Sequence, residues 1–562
     1  MLAQINNMPR VAYFSMEIAF HEAIPTYSGG LGVLAGDAMF SAADLELPIV
    51  AVTLASHEGY FHQSLDGDGR QQESAENWNI AEYARSLDAK VCVHLEGEKV
   101  WVGAWLYELK GHMNGCIPII LLDTDLMENS EPNKALTNRL YGGDERYRLK
   151  QEAILGIGGE RMLQALSFTV IRYHMNECHS ALLVSELLKR FRFNEADVRE
   201  GETTYNLPRV RELCCFTTHT PIEAGHDRFS YELVTEVLER ELELDVIKKF
   251  AGNDNLNMTR LAMNCSEFIN GVAKKHADVS RDMFPGYHIN AITNGVHPRR
   301  WVCPELAALF DDYLPGWCHE TELLRNVDVI PSQNIWQVHQ NAKQVLINHV
   351  NRYHGVLLDL EIPILGFARR MTSYKRADLL FSNIDTLKRV AARFPFQIIL
   401  GGKAHPHDDE GKRLIEQLHS LSKELQYDIK IVFLENYDIA QAKMIVAGSD
   451  IWLNTPLRPY EASGTSGMKA AINGVLNLSV LDGWWIEGCI EGQTGWAIGS
   501  ESPSENGKDA LSLYQKLEHI VLPTYYEKKN DWLKMMITSI QKNGTYFNSH
   551  RMMRRYVCEA YL

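Results

Sequence analysis

At 562 residues the chain is too long for one hydrophobic core, so two or more domains are expected. Its composition, 45% hydrophobic and 23% charged, is that of a globular protein and excludes a disordered or fibrous one. The net charge of −16 argues against a nucleic-acid partner and sets a condition: an anionic substrate would need a local group of Arg and Lys side chains to overcome the surrounding field.

The opening residues, MLAQINNMPR, lack a basic stretch followed by an apolar run and a small-residue cleavage site, which points to a cytoplasmic location. Nowhere do about 18 apolar residues run uninterrupted, so no spanning helix and no membrane partner are expected. Short β-branched or aromatic runs recur at residues 11–14, 49–54, 117–122, 169–175, 213–218 and 289–293, then at 362–368, 396–400, 429–434, 451–454 and 475–480. Runs this apolar read as strands buried on both faces, and helical periodicity lies between them, as at 181–191 and 408–424. The alternation predicts an α/β protein of two doubly wound, Rossmann-like domains facing a central cleft. The boundary is placed after Thr293, giving domains 1–293 and 294–542, with a helical stretch 543–562 able to pack back on the first. The ten cysteines are scattered, with one adjacent pair, Cys214-Cys215, and no Cys-x-x-Cys, so neither a zinc knuckle nor a disulfide framework is expected. Asp66, Asp68 and Gly69 lack the later Glu of a calcium loop, and His405 with His407 lack further ligands, so no metal is expected.

Three segments carry candidate chemistry. Ser28-Gly29-Gly30-Leu31-Gly32 lies between the first strand and a helix predicted to begin near Leu34; such a loop can bring backbone N–H groups to an anion, and a tight structural turn accounts for it equally well. Arg369, Arg370, Lys375 and Arg376 place four cations in eight residues just past a predicted strand. They read as a phosphate clamp rather than a solvated helix start, given the acidic balance elsewhere. In the third, small residues from Ala462 to Gly467 offer amides and hydroxyls to a hydroxylated or phosphorylated ligand, with Lys469 one helical turn further on. A buried lysine there would suit Schiff-base chemistry, whereas spacing alone favours a solvated helix lysine.

EASGTSGMK at 461–469, VFLENY at 432–437 and NGVLNLSVLDG at 473–483 closely resemble the cofactor segment of the α-glucan (glycogen, starch and maltodextrin) phosphorylases. GGLG at 29–32, FTTHT at 216–220, NGVAKKH at 270–276, TNGVHPRRW at 293–301 and GGKA at 401–404 extend the resemblance, in order, from about residue 11 to 490. The resemblance implies the two-Rossmann GT-B glycosyltransferase fold and pyridoxal 5′-phosphate carried on Lys469. It further implies that Gly30, Arg369, Tyr437, Thr465 and Trp301 hold this cofactor, that Arg370 and Lys375 bind the substrate phosphate, and that Glu461, Ser463, Gly464, Asn294 and His219 hold the glucosyl unit. The reaction implied is reversible phosphorolysis of an α-1,4-glucan by inorganic phosphate to α-glucose 1-phosphate, with retention. A homodimer is expected by the same analogy.

The chain also departs from the family. It is shorter than the long, regulated forms; Arg369 stands where those have Lys; the stretch from His174 to His179 matches NDTHP only loosely; and Trp484-Trp485 replace a smaller pair. YFSMEIAF and GGLG also resemble the glycogen and starch synthases, so a nucleotide-sugar-dependent glucan synthase is the rival reading, with a non-catalytic glucan-binding homologue as a third.

Overall fold

The computed structural model describes residue 8 and residues 10–194, 196, 198–199, 203–500 and 506–562. In the first half, β1 (Arg10–Phe14), β2 (Ile49–Leu54), β3 (Arg85–Leu95), β4 (Glu98–Lys110), β5 (Cys116–Asp123), β6 (Val170–Asn176), β7 (Cys214–Thr217), β8 (Phe268–Gly271) and β9 (Asn290–Ala291) form a nine-stranded sheet in the order β9-β8-β7-β6-β1-β2-β5-β4-β3. Strands β9 to β5 in that order run parallel, and β4 and β3 add an antiparallel edge. In the second half, β10 (Ile364–Ala368), β11 (Gln397–Gly401), β12 (Lys430–Leu434), β13 (Ile451–Asn454), β14 (Leu476–Val480) and β15 (Gly495–Ile498) form an all-parallel sheet of six, ordered β12-β11-β10-β13-β14-β15. Both sheets are doubly wound. The strand order reverses between β1 and β6 in the first and between β10 and β13 in the second, where such sheets bind ligands beyond the strands' C-terminal ends.

The central strands β1, β2, β10 and β14 are buried along their whole length, which is why their sequences are predominantly apolar; β14 also buries Asn477 and Ser479, whose side chains find backbone carbonyl acceptors. The edge pair β3 and β4 differs from the central strands because only one face meets the core: Val93, Leu95, Val100, Val102 and Ala104 point inward, while Cys92, His94, Trp101 and Trp105, only partly buried, alternate with them. Strands β8 and β15 were not expected, because Asn270 and Gly271 in the one and Gly495 in the other leave only two or three apolar residues in a row.

Helix α1 (Gly30–Asp44) starts at Gly30, four residues before the predicted Leu34. Three of the glycines therefore sit inside it, where they permit close approach. A Cβ at Gly32 would lie 2.6 Å from Glu17 Oε2, and one at Gly36 would lie 2.0 Å from the carbonyl oxygen of Ala19. Further on are α2 (Thr465–Ile472), which follows β13, and α3 (Ser549–Tyr556), which begins the C-terminal stretch. Helix α3 packs on α1 and the first sheet: Ser549 and Ser41 hydroxyls are 2.6 Å apart, and the Tyr561 hydroxyl lies 2.7 Å from His174 Nδ1. Among the described residues no helix is long and apolar enough to cross a membrane.

The chain passes between the two sheets near residue 295 and returns near residue 548, and the two crossings lie side by side. Val296 N–H donates to the Phe547 carbonyl (3.0 Å) and Ser549 N–H to the Val296 carbonyl (3.0 Å). A Cβ on Gly295 would meet the Asn548 backbone at 2.2 Å. On the other flank of the cleft the hairpin His62–Leu65/Gln71–Ser74 reaches from the first domain to the ends of β11 and β12. Gln63 N–H donates to Asn436 Oδ1 and Asn436 N–H to Gln63 Oε1, each 3.0 Å, and Lys403 Nζ donates to the Phe61 carbonyl at 2.7 Å. Gly295→Ala is expected to cost about 1–3 kcal/mol in chemical denaturation, because backbone rather than a flexible side chain blocks the new methyl. Gly30→Ala, where nothing lies within 4 Å of the new Cβ, is expected to keep or slightly raise stability.

Candidate active site

The ends of β10 and β13 flank the switch point of the second sheet, and the loops leaving them supply most of the polar side chains. After β10 the chain runs through Arg369 to Lys375. Arg376 then adopts a left-handed backbone (φ 46°) and turns inward, donating to the Thr455 and Pro456 carbonyls and to Asp509. The clamp therefore has three members facing the cleft rather than four. After β13, Glu461 enters between two of them: Arg369 Nη2 donates to its Oε2 at 2.6 Å, and Lys375 Nζ to both oxygens at 2.9 and 2.8 Å. Burial opposes ionisation of Glu461, but Arg369 and Lys375 outweigh it and hold the pKa at about 2. Lys375 thus faces a carboxylate instead of standing free for phosphate, and Glu461 carries two cations as well as facing the cleft.

Arg369 is left with capacity for a second anion, since its Nε and Nη1 are buried and meet no acceptor. Arg370 projects openly into the cleft. Desolvation of its head group between the cleft walls lowers its pKa, but Tyr60, Tyr374, Glu17 and Tyr141 raise it, with a net upward shift. A Cβ on Gly29 would lie 3.7 Å from Arg370 Nη2, so the start of α1 and this guanidinium face one space. Glu17 fixes that loop by accepting from Ser28 N–H (2.6 Å), Gly29 N–H (3.3 Å) and the Tyr141 hydroxyl (2.9 Å).

Lys469 lies in the second turn of α2, buried, with Nζ 3.8 Å from the centre of the Trp301 ring. Burial lowers its pKa to about 8; Asp37 opposes the shift and Arg300 adds to it. Trp301 is held in turn by Asp37, which accepts its indole N–H at 2.8 Å and also pairs with Arg300 at 2.9 Å. Asn473 ties the two segments by donating to the Trp301 and Lys469 carbonyls, both at 2.8 Å. Helix α2 begins at Thr465 behind Gly464, whose left-handed backbone (φ 85°) needs no side chain. The loop below is braced by Asp482, which accepts from Glu461 N–H and Gly483 N–H at 2.9 Å each. Burial, then Glu461, raises its pKa to about 6. Tyr437 lies beside Gly401 and close enough to Arg369 to feel its charge.

His219 and Asn294 stand on the first-domain wall, tied to their own neighbours rather than to the cations. His219 N–H donates to Glu177 (2.6 Å), and its Nε2 donates to Asn176 Oδ1 (2.7 Å), which leaves Nδ1 as the unprotonated nitrogen. Burial, helped by His276, His174 and His179, lowers its pKa to about 3. Glu177, at φ 71° just past β6, has its pKa raised to about 7 by burial. The Asn294 carbonyl accepts from Arg551 at 2.9 Å, while Asn294 Oδ1 and Ser463 Oγ are buried without partners. Glu17, Asp37, Tyr141, Glu177 and Asp482 were not expected from the sequence; Glu17, Glu177 and Asp482 lie within the YFSMEIAF, His174–His179 and LDG stretches and so were within reach of a motif.

A family model described as carbohydrate phosphorylase matches residues 243–496. The chain is 37% identical to the maltodextrin phosphorylase of Thermococcus litoralis over 594 aligned positions, covering 98% of this chain and 70% of that protein. It belongs to the carbohydrate phosphorylase family. The glycogen phosphorylases of Aquifex aeolicus and Mycobacterium tuberculosis are each 34% identical across 98% of this phosphorylase-family chain, spanning 86% and 70% of their own lengths. The two doubly wound sheets are the GT-B-like architecture of that family.

The site makes stability pH-dependent with a definite sign. His174, His179 and His219 have folded pKa values near 3, and His226, His276 and His297 near 4, all lowered first by burial from 6.5. Their stabilising contribution is present above 6.5 and is lost as pH falls, since the unfolded chain takes up the protons. Glu177 and Asp482, with raised values, act in the opposite sense and offset two of the six. The denaturation midpoint is expected to fall steeply between pH 6.5 and 4.5; a midpoint flat across that range would contradict the burial of neutral imidazoles.

Proposed function

We propose that this phosphorylase-family protein cleaves α-1,4-glucans with inorganic phosphate, releasing α-glucose 1-phosphate with retained configuration, and that it carries pyridoxal 5′-phosphate on Lys469. The observation that carries the reading is a buried Lys469, held against Trp301, in a protein whose neighbouring loop offers Arg369 with two unpartnered donors and an open Arg370. The names of the relatives, maltodextrin and glycogen phosphorylase, support the substrate class.

The donor set fits the cofactor. A lysine with pKa near 8 has a useful unprotonated fraction at neutral pH, as attachment to an aldehyde requires. Trp301 and Tyr437 offer aromatic faces for the pyridine ring, and Arg369 with Thr465 at the first turn of α2 offers donors to its phosphate. When bound, pyridoxal phosphate supplies a phosphate group able to exchange a proton beside the incoming phosphate.

Holding two phosphates together is the physical problem this cleft must solve, because like charges in a partly desolvated site repel strongly. Three cations, Arg369, Arg370 and Lys375, face one carboxylate, Glu461, leaving a net charge of about +2 to offset them. Arg370, with no partner of its own, takes the attacking phosphate through its planar fork. Glu461 keeps Arg369 and Lys375 in position while its loop presents Ser463 and Gly464 to the sugar. Ser463 Oγ and Asn294 Oδ1 have free hydrogen-bonding capacity for glucosyl hydroxyls. His219 is neutral at pH 7, so it orients the sugar through hydrogen bonding and is not the proton donor to the leaving oxygen.

The purified protein is expected to show the absorption of protein-bound pyridoxal phosphate and to release glucose 1-phosphate from maltodextrin only when phosphate is present. Lys469→Ala should lose both the chromophore and activity, the latter by at least ~10³-fold. Phosphorolysis by protein lacking the chromophore would reject the cofactor, and turnover of a nucleotide sugar instead would reject the reaction. Arg370→Ala should raise the KM for phosphate by ~10-fold or more with the KM for maltodextrin little changed. Equal changes in both would remove Arg370 from phosphate binding.

A further inference from the structure

A pocket of about 600 Å³ lies where the segment Thr321–Val329 meets residues 541–551, and none of the side chains assigned above to cofactor, phosphate or sugar lines it. Three of its walls are cations, Arg325, Lys542 and Arg551, against a single carboxylate, Glu322. In a chain with 72 acidic residues to 56 Lys and Arg, most cations find a carboxylate, yet Arg325 and Lys542 have no ion-pair partner among the described residues. Glu322 Oε1 lies 3.9 Å from Arg554 outside the pocket, while its Oε2 is buried without a hydrogen-bond partner among the described residues.

Arg551 is the more constrained of the three. Its Nε donates to the Tyr546 carbonyl and its Nη2 to the Asn294 carbonyl, both at 2.9 Å, and its guanidinium lies over the Tyr546 ring at 4.6 Å. Nη1 is buried and meets no acceptor, and no described carboxylate pairs with the group. Burial accordingly draws its pKa down to about 10. The cost falls on the buried, idle Nη1 of Arg551, since Arg325 and Lys542 are exposed and solvated; an anion in the pocket would satisfy the first and be drawn by the other two. Three positive charges and one negative leave +2, which a phosphomonoester dianion cancels. The volume admits a ligand of hexose-phosphate size.

We propose that this pocket binds a small phosphomonoester, with the phosphate held by Arg325, Lys542 and Nη1 of Arg551 and the organic part resting against Tyr546 and Thr545. The assignment is independent of the phosphorolysis reading, because no residue given a catalytic or cofactor role there takes part. The probe is glucitol 6-phosphate, which has no anomeric carbon and cannot serve as a glycosyl donor, titrated calorimetrically into the full-length protein as purified. One saturable site is expected, absent for glucitol itself. Affinity should fall at least tenfold in the Arg325→Ala/Lys542→Ala double variant, whose altered side chains are both exposed, and stay unchanged in Arg370→Ala. No saturable binding to the unaltered protein, undiminished binding to the double variant, or loss of binding in Arg370→Ala (which would put the ligand in the central cleft) would each overturn the proposal.

Discussion

Glu461, clamped between Arg369 and Lys375, sets the chemistry of the cleft. Three like charges gathered at a strand end would repel one another and distort the loop that carries them. One buried carboxylate between two of them fixes their positions while still leaving positive charge in excess. Breaking such an arrangement by removing its carboxylate typically costs ~3–5 kcal/mol, because the cations stay buried. The loop from β13 therefore builds the anion site together with the loop from β10, and neither alone would. Asp482 extends the same logic one layer outward, since it fixes the backbone N–H of Glu461 without a cation of its own.

The wall opposite is built on a contrary principle. Around β6 and β7 the first domain buries imidazoles in neutral form and raises the pKa of Glu177, so it offers hydrogen bonds with little charge. A polar but nearly uncharged surface suits sugar hydroxyls, and the charged surface of the second domain suits phosphates. The charge is thus concentrated on the second domain, while uncharged hydrogen-bonding groups come from both sides of the cleft, His219 on the first domain and Ser463 on the second.

Much of this was legible in the amino-acid order. The central parallel strands announce themselves because both faces are buried, and the Gly-rich, basic and Lys469 segments fall at strand ends, where doubly wound sheets bind ligands. What was not legible follows from tertiary partners. The edge strands β3 and β4 bury one face fully and the other only in part; α1 begins at Gly30 because Glu17, distant in sequence from the glycines, holds the preceding turn; and Arg376 leaves the clamp because Asp509 lies beneath it. Composition and spacing likewise could not reveal that Glu461 would neutralise part of the clamp, since its two partners are 92 and 86 positions away.

The adjacent passages of the chain at Gly295 and Asn548 have a mechanical corollary. Two covalent links running side by side and hydrogen-bonded to each other leave the halves of the molecule one axis about which to turn, so the sugar wall and the phosphate wall can swing apart but cannot slide past each other. The Gln63–Asn436 exchange is one of several hairpin contacts at the β11–β12 flank, away from that axis, that would resist such a swing. Any such opening would have to part the whole set of hairpin contacts, Lys403 with the Phe61 carbonyl and Leu65 N–H with Glu435 among them.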